Sequence, residues 1–124
     1  MARKMFEAAG ATAIGPYSHA VDMDGVIYLS GQTPVMPGGA LAEGISNQTQ
    51  QCFKNLFAVL EAAGLIPDDV QKVNVYLTDM KNFPEMNAVY EKQFSKPYPA
   101  RTTVAVAALP LGASVEIEMI AKRK

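Results

Sequence analysis

The sequence predicts an α+β two-layer sandwich: a mixed sheet with two helices on one face, in the order ββ-α-β-α-ββ. Three observations predict it. Asp24-Gly25 sits between two apolar runs, a strong short-range sign of a β-hairpin. Two stretches with helical spacing enclose one stretch that alternates apolar and polar residues. Two further alternating runs close the chain. At 124 residues the chain is a single domain, 1–124, with room for one core and not for two.

In order along the chain, residues 6–11 are a weak lead-in. Strands are expected near 17–22 and 26–31, on either side of the Asp24-Gly25 turn. The proline and glycine content of Thr33-Pro34-Val35-Met36-Pro37-Gly38-Gly39 makes that stretch a loop. A helix opens near Ile45 or Ser46. Thr49, Cys52, Phe53, Leu56, Val59, Leu60 and Ala63 recur on one face, Gly64 is a left-handed stop, and Pro67 bars continuation. Val73, Val75 and Leu77 alternate with polar residues and mark a strand. Asn82-Phe83-Pro84-Glu85 opens a second helix, with Asn82 as candidate N-cap, and Lys96-Pro97-Tyr98-Pro99 ends it. Strands over 101–108 and 115–121 follow, with Leu109-Pro110-Leu111-Gly112 turning between them.

Composition excludes several classes. Hydrophobic residues are 49% and charged residues 19%, against disorder. Eleven basic residues face twelve acidic ones, a balance that argues against a nucleic-acid binder. A single cysteine excludes an internal disulfide and any multi-cysteine metal site, and a single histidine argues against His-based metal clusters and a Ser-His-Asp triad. No metal is expected. No run approaches the ~20 apolar residues that span a bilayer, and no apolar segment follows the basic start, so a cytoplasmic protein is expected.

One pattern bears on assembly. A two-layer domain leaves one sheet face to water, and its strands should alternate. Val26-Ile27-Tyr28-Leu29 does not alternate, and Thr103, Ala105 and Ala107 form a small, uncharged face. Both faces therefore read as covered, and with only two helices the second cover is expected to be another copy of the chain.

Arg101 is the first candidate for chemistry. It opens a strand after the stiff Pro97-Tyr98-Pro99-Ala100 segment, and its planar fork suits a carboxylate; the simpler reading is a surface salt-bridge partner. Glu116, in Val115-Glu116-Ile117-Glu118-Met119, is a carboxylate among apolar neighbours, which must be paired or protonate, and so is a candidate general acid/base. The simpler reading is a pair of solvent-facing glutamates, and alternation does not choose between Glu116 and Glu118. If the two closing strands pair as a hairpin, an odd register sum puts Glu116 on the Arg101 face and an even sum on the other. Tyr17, fixed by Gly15-Pro16, offers a phenol that could line a pocket. Ser30-Gly31-Gln32 ends a strand where the glycine permits close approach of a ligand. Asn87 faces out of the second helix or reaches the same region. His19 and Cys52 read as structural. There is no GxGxxG, P-loop or HExxH motif.

Gly15-Pro16-Tyr17-Ser18-His19-Ala20, Leu29-Ser30-Gly31-Gln32, Pro99-Ala100-Arg101 and Val115-Glu116-Ile117-Glu118 together resemble the RidA/YjgF family of reactive-intermediate deaminases, over about residues 3–122. The resemblance implies a chorismate-mutase-like fold and a homotrimer with sites in clefts between subunits. It implies a hydrolase that converts 2-enamine or 2-imine acids, such as 2-aminoacrylate, to 2-keto acids and ammonia, with no cofactor. Arg101 matches the family's carboxylate-binding arginine and Glu116 the glutamate that places and activates water. Tyr17, Ser30, Gly31 and Asn87 match pocket positions. The chain departs from the family's common pattern at Thr103, where a cysteine usually follows the arginine by two residues. A hydroxyl there still donates and accepts hydrogen bonds. Two rival readings remain at this level: a non-enzymatic protein that binds small carboxylates such as 2-keto acids and regulates a partner, and an endoribonuclease or translation inhibitor.

Overall fold

A computed structural model describes residues 2–124. Its strands are β1 (Lys4–Phe6), β2 (Ala20–Met23), β3 (Val26–Gln32), β4 (Val70–Leu77), β5 (Ala100–Ala105) and β6 (Val115–Lys122); its two α-helices are α1 (Ile45–Ala62) and α2 (Phe83–Tyr90). The strands form one mixed sheet in the order β1-β2-β3-β6-β4-β5, with only β4 and β5 parallel. The α+β class and the two helices are as the sequence predicts. β2 and β3 meet at a two-residue turn in which Asp24 and Gly25 both have positive φ (52° and 86°), the mirror-image turn that matches strand twist.

Three local features differ from the sequence expectation. The lead-in contributes a short edge strand, β1, which pairs with β2; three residues are too few to show alternation. Asn82 stands before α2 with helical backbone, and its side chain caps nothing. A 3-10 turn (Met80–Asn82) runs straight into the helix, so the cap moves one turn earlier: Asp79 accepts a hydrogen bond from the Lys81 N–H at 2.9 Å. Most consequentially, the closing strands are not neighbours. The chain runs β4-α2-β5 as a crossover unit, which makes β5 parallel to β4 and leaves it at the sheet edge; residues 106–114 then carry the chain past β4 to β6.

Both helices cover one face. Val73, Val75 and Leu77 of β4 and Val115, Ile117, Met119 and Ala121 of β6 are buried there with Phe53, Leu56 and Leu60 of α1 and Met86 and Tyr90 of α2. Phe53, Phe57, Tyr90 and Phe94 make an aromatic cluster at this interface, with centroids 5.5–6.0 Å apart. The opposite face carries Tyr28 and Val104, 45% and 40% exposed, beside the partly exposed Asn74, Tyr76, Glu116, Glu118 and Ile120. The chain therefore covers one face of its sheet and leaves apolar side chains exposed on the other. No described helix is long and apolar enough to cross a membrane.

Candidate functional site

Arg101 lies on the edge strand β5, level with Val73 of β4, and so on the helix-covered face. It does not reach bulk solvent freely. Its Nη1 donates to the Asn87 side-chain oxygen at 2.6 Å, and its guanidinium stands 4.6 Å from the Tyr90 ring centre and 5.4 Å from that of Phe83. Among the described residues it pairs with no carboxylate. Thr103 follows two residues on, hence on the same face of β5. Its Oγ1 and the Tyr90 hydroxyl are both buried without a hydrogen-bond partner among the described residues. Buried polar atoms ordinarily find partners, so a half-buried cation beside the idle Thr103 hydroxyl is a surface suited to an oxygen-rich ligand. Burial pushes the Tyr90 phenol pKa up, and the Arg101 charge opposes it.

Glu116 lies elsewhere. On β6 it pairs with Tyr76 of β4. β4 positions 73 and 76 differ by an odd number, and strand side chains alternate, so Arg101 and Glu116 point to opposite faces. Three residues along the strand (~10 Å) and two strand spacings (~9–10 Å) add to the separation. Of the two faces left open for Glu116, the register therefore selects the one away from Arg101, and within a single chain the two side chains share no crevice.

Glu116 has its own surroundings. A register shift between Leu29 and Gln32 of β3 places Ser30 and Gly31 beside β6. An ideal Cβ at Gly31 would stand 2.5 Å from the Glu116 Oε2, so the missing side chain makes space for the carboxylate. The loop before β2 is tied to the same place: the Ser30 hydroxyl donates to the Ser18 carbonyl at 2.7 Å and the Ser30 N–H to the His19 carbonyl at 2.9 Å. Tyr17, Ser18, Tyr28, Ser30 and Glu118 border an open cavity of about 860 Å³ on this face. Burial, then the charge of Glu118, raises the Glu116 pKa. Glu118 accepts a hydrogen bond from the Tyr76 hydroxyl, and that bond, with burial, raises Tyr76 to about 12.

The described residues thus give two half-sites: Arg101 with Asn87 and Thr103, and Glu116 with Gly31; Tyr17 and Ser30 border the adjoining cavity, whose acid is Glu118. His19 and Cys52 belong to neither. The His19 Nδ1 accepts the Ala8 N–H at 3.2 Å, and burial raises the pKa of the Cys52 thiol, which sits on the core face of α1. Among the described residues no three His, Cys, Asp or Glu side chains gather to hold a metal. Sequence reasoning missed Phe83 and Tyr90 as neighbours of Arg101. The available signal was their spacing with Asn87, at i, i+4 and i+7 of one helix.

Residues 8–123 match the family described as Endoribonuclease L-PSP. A RutC family protein of Aquifex aeolicus is 48% identical over 111 residues, covering 87% of this chain and 89% of that one. The 2-iminobutanoate/2-iminopropanoate deaminase of Salmonella typhimurium is 44% identical over 116 residues, covering 90% and 91%. The crystal structure of E. coli TdcF with bound serine superposes with a TM-score of 0.91 at 37% identity, covering 98% of this chain and 99% of that one.

Proposed function

The chain belongs to the RidA/YjgF family, described as Endoribonuclease L-PSP, and on that premise we propose that it hydrolyses reactive 2-imino acids to 2-keto acids and ammonia. The observation that carries the reading is Arg101: a half-buried guanidinium with a neutral amide on one N–H, no acid partner among the described residues, and the rest of its fork free. That is the complement of a substrate carboxylate. The Salmonella relative's name supports the imine chemistry, and the serine on TdcF supports a small amino-acid-like ligand.

An imine carbon is already electrophilic, so orientation and proton movement suffice. Arg101 holds the carboxylate. Glu116 takes a proton from water as the water oxygen bonds to C2 and passes it to the imine nitrogen, giving a neutral carbinolamine. Glu116 then takes the carbinolamine hydroxyl proton and delivers it to the nitrogen as the C–N bond breaks, so that C2 becomes a ketone and ammonia leaves. A carboxyl group with a raised pKa suits both steps better than an ordinary one.

Because the half-sites face away from each other, the working cleft needs two chains, with Glu116 of one opposite Arg101 of the next. We assign the exposed Tyr28 and Val104 face to that contact, in a homotrimer. The test is ammonia and pyruvate release from freshly generated 2-iminopropanoate. Acceleration over buffer is expected, and its absence at full ligand occupancy leaves a binding protein instead. Arg101→Ala and Glu116→Ala should each be inactive alone and regain activity when refolded together. No regain places both groups in one chain's own cleft.

The family's description supplies a second reading, RNA cleavage. The balance of eleven basic to twelve acidic residues weighs against it, and cleavage by the pure protein that survives high salt would favour it.

A further inference from the structure

We infer that Phe83, Asn87 and Tyr90 of α2 are positioning residues, a three-sided holder that fixes the plane of the Arg101 guanidinium before the substrate carboxylate arrives. The inference rests on the carboxylate-binding reading of Arg101 and adds what prepares that residue for it.

Arg101 lies on an edge strand, with no further strand beyond β5 to support it. A free arginine side chain samples many rotamers, and ordering it on binding weakens affinity. Here three residues, 83, 87 and 90, meet the guanidinium from one face of one helix. The Tyr90 ring lies 4.6 Å from the guanidinium carbon and Phe83 5.4 Å, both within cation–π range, while the Asn87 amide oxygen takes Nη1 at 2.6 Å. The two rings restrict the position and tilt of the guanidinium. The amide restricts rotation within its plane, because it occupies one N–H and leaves the others for the ligand.

Tyr90 is itself fixed. It is 4% exposed and packs against Phe53 and Phe94 at 5.6 and 5.5 Å. Its hydroxyl has no partner among the described residues, so the ring, not the hydroxyl, does the holding. An amide at 87 is also the right chemistry. A carboxylate there would pair with Arg101 and compete with the substrate; an aliphatic residue would leave the fork free to rotate. Asn87 is therefore a neutral stop for the fork.

The experiment uses the intact protein, with arginine side chains labelled with nitrogen-15 and the Arg101 signal assigned by its loss in Arg101→Ala. Pyruvate affinity is measured by calorimetry on the same samples. Slow rotation of the wild-type Arg101 guanidinium is expected. Tyr90→Leu should free that rotation and weaken pyruvate binding about tenfold, between the scales of an exposed and a desolvated cation–π contact. Tyr90→Phe should keep both wild-type properties, which a role for the hydroxyl would not predict. Phe83→Leu, at a partly buried position, should loosen Arg101 in the same direction by a smaller factor and serves if Tyr90→Leu does not fold. Unchanged rotation and affinity in both leucine variants overturn the holder, as does a Tyr90→Phe variant as weak as Tyr90→Leu. Slow rotation in a wild-type protein with no pyruvate affinity overturns the carboxylate reading and removes the holder's role with it. Full pyruvate affinity with freely rotating Arg101 overturns the holder alone.

Discussion

Gly31→Ala separates chemistry from stability. Gly31 is not among the residues with positive φ, so its backbone accepts alanine without strain. Adding a methyl group also reduces the freedom of the unfolded chain. The new Cβ, however, would stand 2.5 Å from Glu116 Oε2, 3.1 Å from its Cδ and 3.4 Å from its Cγ. An ordinary contact needs about 3.5 Å, so the carboxylate end retreats by about 1 Å. The obstructed atoms are the end of a flexible side chain, and the fold should absorb the change within about 1 kcal/mol. The same ~1 Å matters for proton transfer, where misplacement on that scale costs about 10²-fold in rate, or about 2.7 kcal/mol of barrier. We expect kcat/KM for imine hydrolysis, read as ammonia release, to fall by about that factor while the melting temperature moves by a few degrees at most. Adding Glu116→Asp to Gly31→Ala shortens the acid by one methylene and should return part of the rate. Wild-type turnover in a well-folded Gly31→Ala protein would refute the assignment of Glu116 and its pocket.

Other outcomes follow from the same geometry. Arg101→Ala should abolish turnover and pyruvate binding while circular dichroism and oligomeric size stay as in the wild type; retained turnover would remove the arginine from the mechanism. Glu116 has a raised pKa, so as a base it loads only above the ordinary glutamate range, and the acidic limb of the kcat/KM profile should lie there. Glu118→Gln removes the charge that contributes to this shift, and the limb should move to lower pH; an upward move would contradict the assignment. The same raised pKa means that the folded state binds this proton more tightly. Its contribution to stability is complete below the unfolded pKa and is lost as pH rises through the folded one. Arg123 donates to the Ala63 carbonyl at the end of α1 at 2.7 Å and pairs with Asp22 at 3.3 Å. Arg123→Ala should cost about 1–2 kcal/mol in urea unfolding and leave kcat unchanged.

Local patterns carried most of the fold. The Asp24-Gly25 turn, α1 with its Gly64 stop and the alternation of β4 all lie where composition and spacing put them, because each depends on residues close in sequence. The neighbours of β5 and β6 depend instead on where α2 returns the chain, and alternation does not report strand order. The residue types at 101 and 116 were legible as a fork and an acid. Their faces were not, because the parity that decides them runs through Val73 and Tyr76 on a third strand. The exposed Tyr28 was legible in part: a non-alternating run says that a surface wants covering without saying by what.

The odd spacing between Val73 and Tyr76 also has a kinetic consequence under the proposed function. A newly made chain that has folded but met no sibling would carry both reactive groups and perform no catalysis. Specific activity would then fall on dilution, ahead of any loss of secondary structure, so the concentration of subunits becomes a control on output that no effector molecule needs to supply.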